Sequence, residues 1–285
     1  MAFNGVKTVL FLGLLSGLLM GVGFLLGSKT GLIIAFIFAI GMNFFSYFFS
    51  DKIVLKMYGA KEAKKLEHPK LYSMVEEVSK KAGIPMPKVF IINDASPNAF
   101  ATGRNPKHAV VAATTGILSL LNEEELKGVI AHEISHVKNR DILIQTVAVT
   151  IASVISFIAT MAQWAAIFGG GSSDEEGGSG GNIIGFLLLA ILTPIIATLL
   201  QLALSRNREY LADESAAKLL HNGKGLSGAL KKLETGIAAK PMRKGKEATA
   251  SLFIANPFSM KGMISWLSTH PPIEKRVERL NGMKF

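Results

Sequence analysis

The chain has no cysteine among its 285 residues, so disulfide bonds, thiolate metal ligands and cysteine nucleophiles are excluded. Any metal site must therefore use histidine, aspartate or glutamate side chains. Charged residues are also scarce, at 18%, whereas soluble domains usually carry about a quarter. Because 49% of the residues are hydrophobic, this shortage of charge indicates membrane-spanning segments and a lipid bilayer as one partner.

The formal net charge is +10, which is compatible with nucleic-acid binding or with the cytoplasmic flanks of a membrane protein. The lysines and arginines are spread through two polar regions and do not form a patch interleaved with aromatic residues. Such spreading is typical of membrane-protein flanks. We therefore predict no nucleic-acid partner.

Residues 1–50 are predicted to form an N-terminal transmembrane hairpin. Val6 to Leu26 and Gly31 to Ser50 are two apolar runs, each long enough to span a bilayer as a helix, with a short connection between them. A cleaved signal peptide is the alternative for the first run. That run is too long, however, and lacks a small-residue cleavage site.

Two further apolar runs, Ile142 to Phe168 and Ile183 to Leu204, predict a second transmembrane hairpin over residues 142–204. Both contain polar residues, which spans tolerate when neighbouring helices satisfy them. The alternative is a pair of buried core helices in a soluble domain. The glycine-rich residues 169–182 between the runs predict a flexible external loop.

The distribution of basic residues predicts the topology. Residues 51–141 contain 14 of the 31 lysines and arginines and residues 205–285 contain 15, whereas the glycine-rich loop contains none. By the positive-inside rule, both polar regions lie in the cytoplasm and the loop lies outside. We expect four spans with both termini inside.

The polar residues 51–141 are predicted to fold into a short sheet followed by a helix. Pro69 to Ala82 has helical apolar spacing, while Lys88 to Ile92 and Ala109 to Ala112 have strand composition. Asn98 to Thr102 is a possible third strand, joined to the next by a Gly-Arg-Asn-Pro turn.

The sequence His132-Glu133-Ile134-Ser135-His136 predicts a metal site on that helix. Two histidines four residues apart share one helix face, so both imidazoles can bind one zinc ion, with Glu133 beside it as a general base. Asn122 before three glutamates predicts the helix start. The alternative is a solvated helix that carries two histidines by chance.

A hydrolytic zinc site needs a third protein ligand and an open position for water. Glu209 and Asp213 are also four residues apart. Glu209 is predicted to bind the metal, while Asp213 accepts the free ring N–H of a ligating histidine. The alternative is an i,i+4 charge pattern on a solvated helix, in which nearby arginines neutralise the acids.

These motifs, taken in order, resemble the HtpX-type membrane zinc proteases, which are bacterial relatives of the CAAX prenyl proteases within the gluzincin class. The resemblance covers essentially the whole chain. It implies an α-helical membrane protein with an α+β gluzincin-like zinc protease domain and four transmembrane helices. The motifs that carry it are the paired N-terminal spans, Pro97–Gly103, His132–His136, the later hairpin, Ser205–Asp213 and Thr269–Pro272.

By this resemblance, the protein is expected to bind one Zn²⁺ per chain and to hydrolyse misfolded or damaged membrane proteins. The expected setting is the cytoplasmic side of a bacterial inner membrane during stress. A prenyl-protein processing protease with a narrow substrate is one alternative, and a non-catalytic zinc-binding scaffold is another. The scaffold is less favoured because a structural site closes its fourth position, and the motifs offer no cysteine and no fourth histidine. No motif predicts an oligomeric state.

Two further assignments concern how substrate is held. A short stretch of mostly small residues is suited to an edge strand that pairs with an extended peptide. It consists of Asn98, Ala99, Phe100 and Ala101. The family resemblance also implies that His270 stabilises the oxyanion of the transition state, with Arg276 nearby. The alternative for His270 is a rigid His-Pro-Pro turn before a helix at Ile273–Leu280.

Overall fold

The computed structural model describes residues 2–149, 151, 206–242, 247–257 and 271–285. The expected second hairpin lies mostly outside these ranges, as do the glycine-rich loop 169–182 and His270. The described part of the chain is mainly helical and contains one four-stranded sheet. The helices are α1 Ala2–Met57, α2 Pro69–Ala82, α3 Thr115–Leu120, α4 Glu123–Asn139, α5 Arg206–Leu220, α6 Lys224–Ala239 and α7 Ile273–Asn281. The strands are β1 Lys61–Glu62, β2 Lys88–Ile92, β3 Ala99–Gly103 and β4 Ala109–Thr114.

The long helix α1 reverses direction at Ser28, whose φ of 49° is left-handed. Asn43 donates its side-chain N–H to the hydroxyl of Ser16 at 2.8 Å, although 27 residues separate them. A straight helix would place these residues about 40 Å apart. The two halves of α1 therefore lie side by side.

In the described part of the chain, one helical segment, Ser28–Met57, is long and apolar enough to cross a membrane, with a mean hydropathy of 2.1. Only 17% of its most apolar 18-residue stretch is buried inside the protein, whereas the core helix of a soluble protein would be mostly buried. Gly23 and Gly31 lie where the two halves of α1 approach, since a Cβ on Gly31 would overlap the carbonyl of Gly23. Glycine thus permits the close contact.

The sheet has the strand order β1-β2-β4-β3, with β2 and β4 parallel and the outer strands antiparallel to their neighbours. Gly103 pairs with Ala109, so β3 and β4 form the expected hairpin. The predicted helix Pro69–Ala82 and strand Lys88–Ile92 are confirmed. Strand β4 continues two residues further than expected, to Thr114, whose hydroxyl caps α3.

Strand β3 is a terminal strand of the sheet, yet all five of its residues are buried. On one face, Phe100 packs against the rings of Tyr58 and Phe253, with ring centroids 6.1 and 5.1 Å away. On the other face, Ala99 and Ala101 belong to the main core together with α4. The small side chains allow α4 to approach closely, so their lack of bulk serves packing.

Helix α4 is the centre of the described fold and packs against α2, α5, α6 and β3. Asn122 accepts the N–H of Glu125 and donates its own N–H to the Glu125 carboxylate, which confirms the expected helix start. At Gly128 a Cβ would overlap the backbone of Leu226, so glycine lets α4 and α6 cross closely. This packing fixes α4, and α4 carries the two motif histidines.

Candidate metal centre

Helices α4 and α5 bring His132, His136 and Glu209 together in the interior of the protein. The Nε2 atoms of the two histidines are 3.2 Å apart. The Glu209 carboxylate oxygens lie 3.5 Å from Nε2 of His132 and 3.4 Å from Nε2 of His136. All three side chains are at most 7% exposed, so the cluster is shielded from solvent.

These distances fit a tetrahedral metal ion. Zinc–nitrogen and zinc–oxygen bonds of about 2.0–2.1 Å place tetrahedral ligand atoms about 3.3–3.4 Å apart. The Nε2 atoms of the histidines are 3.2 Å apart, and the Glu209 carboxylate comes within 3.4 and 3.5 Å of them through its two different oxygens, which is close to this value. Three ligands also leave a fourth tetrahedral position.

The charge around the cluster fits a divalent cation as well. When the four carboxylates at the site are ionised, they exceed its two guanidinium groups by two negative charges. Buried net charge is costly. Among the described residues, the acidic groups at the site are Glu133, Asp141, Glu209 and Asp213, and the basic groups are Arg208 and Arg276. A divalent ion would balance this excess.

Each histidine has a carboxylate on its other ring nitrogen. Nδ1 of His132 lies 2.9 Å from Asp213, and Nδ1 of His136 lies 3.3 Å from Asp141. An Nδ1–H bond to a carboxylate leaves the Nε2 lone pair free for a metal. The structure thus brings Asp213 to His132 and Asp141, which the spacing did not indicate, to His136.

Asp141 was missed because it follows a break in the helix. Arg140 is in the left-handed conformation, with φ of 59°, and ends α4. A helical residue five positions beyond His136 would lie on a different face, so helical spacing does not point to it. A search for any acid within five residues after the second histidine could have found it.

Arg276 on α7 is completely buried and contacts Asp213 through two nitrogens. Its Nε and Nη2 donate to the two carboxylate oxygens at 2.8 and 2.7 Å. Nη1 donates to the carbonyl of Ile254 at 2.8 Å and lies 3.7 Å from Glu209. Despite burial, Arg276 and His132 hold the pKa of Asp213 below its usual value.

Glu133 lies between the histidines and strand β3. It is buried, and the backbone N–H of Ala101 donates to its carboxylate. Burial raises the pKa of Glu133, although both histidines oppose that shift. A raised pKa suits a proton acceptor that works near neutral pH.

Of the expected substrate-binding residues, Ala99 and Ala101 have backbone groups directed away from β4, whereas Asn98 pairs with β4 through its carbonyl. The carbonyl of Ala99 accepts the N–H of Ile254 at 3.1 Å. The side chain of Asn98 donates to the carbonyl of Ala255 at 2.8 Å. The edge of β3 is therefore partly paired within the protein itself, a contact that sequence spacing did not indicate.

The fold and the site together define a metallopeptidase, in which a helix supplies two histidines and the glutamate between them. The family model "Peptidase family M48" matches residues 65–284. The chain belongs to this family.

Its relatives include proteins named "Protease HtpX homolog", which confirms the expected resemblance. The homologue from Desulfatibacillum aliphaticivorans is 52% identical over 281 residues, 99% of this chain and 90% of the relative. The one from Thermodesulfovibrio yellowstonii is 54% identical and covers 98% of both chains. Among solved structures, Ste24p of S. mikatae has a similar fold, with a TM-score of 0.51 and 21% identity. That match covers 98% of this chain and 62% of Ste24p.

We predict that zinc binding at neutral pH releases protons from the site. Although burial opposes it, Glu209 and Asp141 raise the pKa of His136 to about 10, and the pKa of His132 is raised too. Metal-free His136 therefore stays protonated at pH 7, and zinc must displace that proton. Calorimetric titration in buffers of different ionisation enthalpy should show at least one proton released, and affinity should rise with pH. A proton count of zero would contradict the assignment of the histidines.

Proposed function

We propose that the protein is an integral-membrane zinc endopeptidase whose ion is held by His132, His136 and Glu209. The observation that carries the proposal is a buried cluster in which the two histidine Nε2 atoms are 3.2 Å apart and the Glu209 carboxylate approaches each of them to 3.4–3.5 Å. Histidine nitrogens and carboxylate oxygens without thiolates are typical of catalytic zinc sites. Asp141 and Asp213 orient the two rings.

The chemistry proposed is hydrolysis of a peptide bond. A zinc ion in this site supplies Lewis acidity, which makes a water more acidic and a carbonyl more electrophilic. Glu133 accepts the proton of the attacking water and delivers it to the leaving amine. The N–H of Ala101 holds the Glu133 carboxylate in place in the absence of substrate.

An extended substrate is proposed to pair with the edge of β3 beside Glu133. Ala101 has its N–H directed toward the site, and its position on a terminal strand suits the addition of a further strand. Main-chain pairing is largely independent of side chains, which supports broad specificity. His270 is proposed, from the family resemblance, to donate a hydrogen bond to the oxyanion.

The proposed setting is a membrane crossed four times, with the zinc site on the cytoplasmic side. Large apolar side chains are exposed along the second half of α1, including Ile33, Ile37 and Phe44. At its end, Lys52 lies over the ring of Phe49, an aromatic and basic border of the kind found at membrane interfaces. The density of basic residues in both polar regions supports the cytoplasmic side.

The border of this membrane segment is close to the substrate strand. Arg104, which follows β3 directly, lies 5.4 Å from the ring centroid of Phe48. A substrate-binding strand beside the bilayer suits substrates that are themselves membrane proteins. We therefore propose misfolded or damaged membrane proteins of the bacterial inner membrane as substrates, in a stress-related quality-control role.

Incubation of the purified protein with an unfolded membrane protein, with and without a zinc chelator, tests this function. Chelator-sensitive cuts at many positions in cytoplasmic segments are expected. Cuts confined to one site of a prenylated protein would favour the processing protease. Zinc binding without any cleavage would favour the scaffold.

We predict opposite behaviour for two replacements at the site. Glu133→Gln keeps volume and hydrogen bonding but removes the proton acceptor, so cleavage should fall at least about 100-fold with zinc retained. Glu209→Ala removes a ligand, so both zinc and activity should be lost. Metal analysis and peptide cleavage assays on both purified variants provide the measurement.

Glu234→Ala, on the exposed side of α6, is a matched control and should retain both properties. Normal cleavage by Glu133→Gln would remove that residue as the base. Full zinc content in Glu209→Ala would remove that residue from the ligand set.

We also predict the topology of the chain. An enzyme reporter that is active only outside the cytoplasm should be active when inserted within residues 169–181 and inactive when fused after Phe285. The reason is the absence of basic residues from the glycine-rich loop. The reverse pattern of reporter activity would place the zinc site on the outer face.

A further inference from the structure

We propose that Arg276 is a positioning residue that joins the metal site to the substrate strand, and that it does not contact the transition state. This inference rests on the zinc site proposed above. Its basis is that one buried guanidinium bonds to both structures at once: to Asp213 beside the metal ligands, and to Ile254 beside β3.

On the metal side, Arg276 holds Asp213 with two parallel hydrogen bonds of 2.7 and 2.8 Å. Such a forked pair fixes both the position and the rotation of a carboxylate. Asp213 in turn lies 2.9 Å from Nδ1 of His132. Arg276 therefore controls the direction in which Nε2 of His132 points.

On the substrate side, Arg276 holds the segment Phe253–Ala255 against β3. Its Nη1 donates to the carbonyl of Ile254, whose own N–H donates to the carbonyl of Ala99. Phe253 and Ile254 are each 1% exposed. This segment is therefore a fixed part of the core, and it sets the position of the strand with which substrate is proposed to pair.

The described contacts of the guanidinium also explain why it is a poor candidate for the oxyanion. Three of its five N–H groups already donate to Asp213 or Ile254, and Nη1 also lies 3.7 Å from the Glu209 carboxylate. It approaches His132 at Nδ1, on the opposite side of the ring from the proposed metal ligand atom Nε2. A donor to the oxyanion would have to lie on the Nε2 side.

The test is Arg276→Lys, which keeps the positive charge but not the fork. The single ammonium nitrogen of lysine lacks the planar fork, so it cannot reproduce the two parallel bonds to Asp213 together with the separate bond to Ile254. Zinc should bind at least about 10-fold more weakly, as expected for loss of an outer contact. KM should rise roughly 2–10-fold, the effect of one hydrogen bond.

Two further variants separate the two sides of the link. Asp213→Asn should weaken zinc binding by about 10–100-fold and leave KM unchanged, because the Ile254 contact remains. Arg279→Lys is the matched control: the same replacement on the same helix, at an exposed side chain over the ring of Tyr210. It should match the wild type in zinc affinity and KM.

Two outcomes would overturn the inference. Wild-type zinc affinity in Arg276→Lys, with only kcat reduced, would indicate a direct contact with the transition state. Weaker zinc with an unchanged KM would remove the link to β3. If the wild-type protein itself binds no zinc, the proposed function is wrong, and the inference about Arg276 is wrong with it.

Hydrogen exchange on the wild-type protein supplies a second measurement that does not depend on the folding of a variant. Addition of zinc should slow amide exchange in residues 253–255, because Arg276 connects them to the metal site. Exchange in α2, which does not contact Arg276, should stay unchanged. Equal exchange in residues 253–255 with and without zinc would overturn the link.

Discussion

The site depends on buried negative charge that exceeds the positive charge of the arginines in the described part of the chain. Four carboxylates meet two guanidinium groups around a pair of histidines, and Glu133, Glu209 and Asp213 are almost fully buried. A low-dielectric interior does not tolerate such an excess, so the site takes up protons or a cation. The raised pKa values of His132, His136 and Glu133 are the response of the metal-free site. A divalent ion would give the same balance and would leave the Glu133 carboxylate ionised, as its proposed role requires.

The scaffold makes this arrangement possible by bringing backbones close together. Gly128 allows α6 to cross α4, and Ala99 and Ala101 allow β3 to lie against the same helix. As a result, Glu133 reaches the N–H of Ala101. The proposed proton acceptor, the two histidines proposed as metal ligands and the proposed substrate strand are thus positioned by one helix, α4.

Much of this site could be predicted from local spacing. His132 and His136 share a helix face, and the capped start at Asn122 made that helix predictable. Glu209 and Asp213 follow the same four-residue rule on a second helix. Strand β3 could be predicted to lie at the edge of the sheet, but its complete burial could not, because residues 253–255 come from a distant part of the chain.

The contacts that could not be predicted join segments without any shared periodicity. Asp141 follows a left-handed residue that breaks the helical pattern. Arg276 reaches Asp213 across 63 residues and Ile254 across 22. Such contacts depend on how helices pack in three dimensions. The family resemblance placed Arg276 near the site, but its partners required the structure.

The central claim is that His132, His136 and Glu209 hold one zinc ion. X-ray absorption spectroscopy of the purified protein loaded with one zinc per chain tests it most directly. The account predicts four light ligand atoms at about 2.0–2.1 Å, with the multiple-scattering signal of two imidazoles. Six oxygen ligands without an imidazole signal would mean that zinc binds elsewhere, and would contradict the account.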